Sequence, residues 1–146
     1  MNSVRKFLEL RPSDKWLILK ALSLVGLIRF LLWISPFPMV RPLLDRVSRR
    51  SERLTQDQTP AERFAWAIVA ASGVVPGGGH CLTQAFALQA FLSRRGRLSR
   101  IRFGVQRVPG LPFQAHAWVE HQGVVLIGNT HLERFVALST SSEFTC

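Results

Sequence analysis

The stretch "PGGGHCLTQAFALQAFLSRRG", residues 76–96, sets a cysteine at the seam between a glycine run and a helix-forming segment. Pro76 to Gly79 read as a loop. The apolar run from Cys81 ends at Arg94, Arg95 and then Gly96, a basic last turn followed by a C-cap glycine. Upstream of this stretch the apolar residues recur with a helical period, and downstream they alternate with a period of two. The fold class expected is therefore α+β: N-terminal helices, a helix starting at Cys81, then an antiparallel β-meander. A thiol at a helix N-terminus meets unpaired backbone N–H groups and about half a positive charge, which favour thiolate over thiol. That position suits a nucleophile. It equally suits a small buried hydrophobe, the commonest role of a lone cysteine, and the segment alone leaves both readings open.

Downstream, Ile101, Phe103 and Val105 alternate with Arg102, Gly104 and Gln106. In "QAHAWVEH", residues 114–121, Gln114, His116, Trp118 and Glu120 alternate with Ala115, Ala117, Val119 and His121. "VVLI" at 124–127 reads as a third strand and "RFVAL" at 134–138 as a fourth. If Gln122-Gly123 is a two-residue turn, His121 faces Val124, Trp118 faces Ile127 and His116 faces Asn129. Facing side chains share one side of a sheet with Cβ atoms about 4.5–5.5 Å apart, so Asn129 comes within reach of the His116 imidazole. A thiolate nucleophile needs a base, and the base needs an orienting partner. Of the four histidines, His80, His116, His121 and His131, only His116 acquires such a partner from this register. Asn129 is also a plausible turn residue after Gly128.

Upstream, residues 15–34, "KWLILKALSLVGLIRFLLWI", are long and apolar enough to suit a membrane span, but Lys20 and Arg29 argue against one. On a helical projection Leu17, Ala21, Leu24, Ile28 and Leu31 stack as one apolar face. The other half mixes Lys20 and Arg29 with Trp16, Phe30 and Trp33. Burial of the first face against a core is expected, with the second a candidate surface for peripheral membrane contact or a partner. Pro36 and Pro38 end this helix. "VRPLLDRVSRRSERL", residues 40–54, reads as a basic helix. "TPAERFAWAIVAAS", residues 59–72, reads as a short buried one, capped by Thr59 with Pro60 in its first turn.

The chain has 146 residues, 47% of them hydrophobic, enough for one domain with a core; 1–146 is read as a single unit, with 1–58 its N-terminal helical part and 59–146 its core. A net charge of +10 favours acidic partners, yet no Cys/His finger spacing or aromatic-rich basic strand is present, so nucleic acid is not an expected partner. Two cysteines, Cys81 and Cys146, make no disulfide framework, which fits the cytoplasm. Glu9 and Asp14 precede the apolar run and no small-residue cleavage site follows, so no cleaved signal peptide is expected. His80, Cys81, His116 and His131 match no common zinc spacing, and neither metal nor cofactor is expected.

Taken together, "CLTQAFALQAFLSRRG", "RIRFGVQR", "FQAHAWVEHQGVVLIGN" and "LERFVAL" resemble the lasso-peptide leader peptidases. These are transglutaminase-like cysteine proteases similar to the C-terminal domain of microcin-processing proteins. "RFLLWISPFPMVRPLL" and "AWAIVAAS" extend the resemblance over nearly the whole chain. It implies a transglutaminase-like, papain-like core, with Cys81 as nucleophile and His116 as base. For the third member the family often carries Asp twelve residues beyond the His, where this chain has Gly128; Asn129 is the first choice, with Glu133 and His131 as alternatives. The implied activity is removal of the leader from a ribosomally made lasso-peptide precursor before macrocyclisation. The implied partners are the precursor leader, a leader-recognition protein and an ATP-dependent lasso cyclase. A Cys-His acyltransferase and a non-enzymatic binding module are the alternatives.

Overall fold

The computed structural model describes residues 11–34, 42, 59–77, 80–106, 108–110 and 112–138. Three helices are described, α1 (Pro12–Ile34), α2 (Ala61–Ser72) and α3 (Cys81–Ser93). Four strands follow, β1 (Arg100–Gln106), β2 (Gln114–His121), β3 (Val124–Ile127) and β4 (Val136–Ala137). The fold is α+β. The helix expected over 40–54 lies outside the described residues, Pro42 excepted, and so does Cys146.

The Cys81 helix is the centre of the molecule. From Ala85 to Ser93 every residue of α3 is buried, as a helix apolar on all sides must be. It packs on α1 and α2 on one side and on β1 and β2 on the other. Leu88 and Leu92 are wholly enclosed, and Phe91 meets Phe64 of α2 with ring centroids 5.1 Å apart. The Arg95 guanidinium, just past the end of α3, covers both rings at 4.4 and 4.5 Å.

α1 gives Leu17, Ala21, Val25 and Ile28 to the same core. The buried stripe is turned toward Val25, with Leu24 only half-buried, so the apolar face lies slightly to one side of the expected one. Asp14 of α1 pairs with Arg63 of α2. By length and composition α1 is apolar enough to cross a membrane; four of its residues nonetheless serve as core. α2 begins at Ala61, so Pro60 and not Thr59 stands at its N-cap position.

The sheet order is β3-β2-β1-β4, antiparallel at every contact. The first three strands form the expected meander. The fourth departs from it: after a 3-10 turn at Leu132–Arg134 the chain crosses to the far edge, where Val136 pairs with Val105 and Ala137 with Gly104. The Gln122-Gly123 turn has positive φ at both residues, 50° and 80°, and His121 faces Val124. A bulge between Val119 and Glu120 then sets Val119, not Trp118, opposite Ile127, because Leu126 is an extra residue on β3. That slip removes the expected pairing of His116 with Asn129.

Candidate active site

Cys81 is the first residue of α3, with His80 before it in an extended conformation (φ −65°, ψ 133°). The first intrahelical bond there runs from the Gln84 N–H to the His80 carbonyl at 3.1 Å. The amides of Cys81, Leu82 and Thr83 therefore lack helical acceptors and point out of the helix start. The Cys81 thiol is free and half-buried. It opens into a cleft of about 650 Å³ that also takes in His116. Its walls also include His80, Leu82 and Thr83 beside the cysteine, Arg29 and Leu32 of α1, Phe103 of β1 and the alanines either side of His116. α3 packs against β2 in the core, and this brings the start of one element beside the start of the other.

His116 is held on three sides. Its Nε2 lies 2.8 Å from the Gly128 carbonyl oxygen. A carbonyl only accepts, so Nε2 carries the hydrogen and the neutral ring keeps its lone pair on Nδ1. The ring stacks on Phe135, centroids 5.0 Å apart and planes 30° apart, and on Trp118 at 6.3 Å and 27°. Trp118 is itself fixed by donation from Nε1 to Glu120 at 3.0 Å, and Glu120 accepts from Arg102 at 3.3 Å. His116, Trp118 and Glu120 are spaced two apart along β2, so one face of the strand carries base, packing ring and anchor.

Gly128 has φ +79°, and a Cβ there would lie 2.7 Å from the Ala117 carbonyl oxygen and 2.9 Å from the Trp118 Cβ. Only glycine lets the main chain turn back closely enough to present this carbonyl to the ring. Its neighbour Asn129 is exposed. The other two candidates for the third position pair with each other at the surface, His131 Nδ1 to Glu133 Oε1 at 3.4 Å. The Glu133 carboxyl is held below its usual range, first by a backbone N–H and then by His131. His131 adopts φ +56° at the cap of the 3-10 turn. The structure thus brings Cys81 and His116 to one cleft and gives the orienting contact to the Gly128 main chain. Phe135 was legible only as an apolar residue of a strand, since its stacking depends on β4 crossing to β1.

A larger hollow of about 900 Å³ lies towards the β2–β3 turn, lined by Arg97, Arg100, Arg102, Glu120 and His121 among others. Its lining includes the Ser99 hydroxyl but no thiol, and neither Cys81 nor His116 is part of it. Among the described residues no three His, Cys, Asp or Glu side chains gather in a group able to hold a metal ion.

Residues 22–140 match the family described as the transglutaminase-like superfamily. No curated protein and no solved structure matches the chain.

Proposed function

This chain belongs to the transglutaminase-like superfamily, which includes cysteine peptidases and acyltransferases, and on that premise we propose that it is a cysteine peptidase that removes the leader from a ribosomally made lasso-peptide precursor. The observation that carries the reading is the cleft shared by Cys81 at the start of α3 and His116 with Nε2 committed to Gly128. The resemblance of "CLTQAFALQ", "AHAWVE" and "ERFVAL" to the leader peptidases supplies the substrate.

In this reading Nδ1 of His116 takes the Cys81 proton. The thiolate attacks the scissile carbonyl carbon, an S–C bond forms, and the oxygen takes the electron pair. The Cys81 amide, at the positive end of α3, receives that oxyanion. When the oxyanion collapses the C–N bond breaks, and His116 gives its proton to the departing amine of the core peptide. Water, deprotonated by His116, then attacks the thioester, releasing the leader as an acid and restoring the thiol. The freed amine is the group that a cyclase joins to a side-chain carboxylate.

The test is incubation of purified chain with precursor peptide and mass analysis of the products. Cleavage is expected with the parental protein and with Cys146→Ala, and none with Cys81→Ala or His116→Ala. Release of core peptide by Cys81→Ala at the parental rate would end the proposal. A product in which the leader is joined to an added amine, with no free acid formed, would make the protein an acyltransferase instead.

A further inference from the structure

The cleft at Cys81 is mostly apolar, walled by Leu32, Leu82, Phe103, Ala115 and Ala117, yet Arg29 also lines it. Among the described residues that line it, Arg29 is the one permanent cation and no carboxylate is present. Among the described residues, Asp14 pairs with Arg63, Glu120 with Arg102 and Glu133 with His131.

The guanidinium is also seated by the backbone. Gly77 has φ +69°, and a Cβ there would lie 2.6 Å from Arg29 Nε and 2.8 Å from its Cζ and Nη2. Gly77 therefore lies close against the guanidinium, and a side chain there would push this flexible group aside. A half-buried arginine beside apolar walls has a planar head able to take a carboxylate through two parallel N–H···O bonds.

We propose that Arg29 forms a carboxylate-binding subsite in the Cys81 cleft, so that the group attacked by the thiolate lies next to an acidic function of the substrate. The inference rests on the peptidase reading for the identity of the substrate, a peptide with an acidic side chain or chain terminus near the scissile bond. The subsite itself is a property of the cleft, and it is testable without peptide.

Iodoacetate and iodoacetamide both alkylate a thiolate: an S–C bond forms and iodide leaves with the electron pair. The two reagents differ only in carboxylate against amide. In a Cys146→Ala background Cys81 is the sole thiol, and the ratio of the two rates cancels any change in its thiolate fraction. Arg29→Gln is expected to lower the iodoacetate-to-iodoacetamide ratio about fivefold, the effect of one ion pair in water, while Arg29→Lys retains most of it. Added salt is expected to erode the parental ratio toward that of Arg29→Gln. If Arg29→Gln does not fold, Arg29→Met and Arg29→Lys make the same comparison, and a parental ratio indifferent to salt overturns the subsite without any variant. An unchanged ratio in folded Arg29→Gln, or a parental ratio indifferent to salt, would overturn the subsite. Failure to cleave any precursor with the ratio behaving as expected would instead overturn the peptidase reading and leave the subsite standing.

Discussion

His116 Nε2 donates to the carbonyl oxygen of Gly128 at 2.8 Å, so a main-chain group occupies the place where a side-chain carboxylate or amide is usual in Cys-His enzymes. A carbonyl fixes the tautomer as well as a side chain does, but it carries no charge to stabilise an imidazolium. The ring is thus aligned by one hydrogen bond and by stacking on Phe135 and Trp118.

Because the orienting atom belongs to the main chain, Asn129→Ala is expected to keep kcat/KM within about threefold of the parent. Gly128→Ala is expected to lower it by about 10²-fold, since the new Cβ would press on the Ala117 carbonyl and on Trp118 and move the carbonyl off the ring. Steady-state kinetics on a precursor peptide checks both. A loss of more than about 10²-fold from Asn129→Ala would return the orienting role to that side chain.

Phe135→Ala removes one of the two rings that clamp His116. A base free to turn spends less time aligned, which lowers kcat and leaves substrate binding alone. The expected result is a fall of about tenfold in kcat with KM nearly unchanged, and Phe135→Leu, which keeps bulk without a stack, should lie between. A change confined to KM would show that Phe135 contacts substrate instead.

How far the site was legible before the structure depends on the distance over which each contact acts. Cys81 at a helix start follows from neighbours within a few residues, the glycines before it and the apolar run after it. His116 on a strand, sharing a face with Trp118 and Glu120, follows from a period of two. The register beyond the hairpin does not: one extra residue, Leu126, is accommodated by a bulge that no local pattern announces, and it replaces the Asn129 side chain by the Gly128 carbonyl. The crossing of β4 to β1 escaped for a related reason. "RFVAL" reads as a strand in isolation, but its neighbour is chosen by burial and by the 3-10 turn at Leu132–Arg134. Arg29 was read as belonging to the polar half of a helix, because its place in the Cys81 cleft depends on how α1 packs.

α1 is apolar enough for a bilayer, yet Ile28 is 1% exposed inside the protein core with Val25 and Ala21 beside it. Ile28→Ala leaves a cavity in that packing and should destabilise the protein by about 2–5 kcal/mol. Trp33→Ala, at a side chain 76% exposed, should change stability by less than about 0.5 kcal/mol. Thermal or urea unfolding of detergent-free protein measures both. Equal, negligible effects would mean that α1 does not pack on the catalytic core.

On the proposed peptidase function, so small a cleft would have to select a long flexible leader. A cleft of about 650 Å³ contacts only a few residues around the scissile bond. Ordering a disordered peptide costs free energy that these few contacts must offset. A second protein that grips the leader elsewhere and docks on this chain makes the cleavage step effectively intramolecular, at an effective concentration on the order of millimolar. The outer half of α1 offers such a protein Trp16, with Lys20 over its ring, and further along Phe30 and Trp33, all three aromatic side chains more than half exposed. Cleavage by the chain alone is therefore expected to be slow, and to rise at least about tenfold when a leader-recognition protein is added below the KM of the free peptide. Trp33→Ala with Phe30→Ala is expected to remove most of that acceleration while leaving the unaided rate as it was. Equal rates with and without the second protein would mean that the cleft, with Arg29 at its edge, recognises the leader unaided.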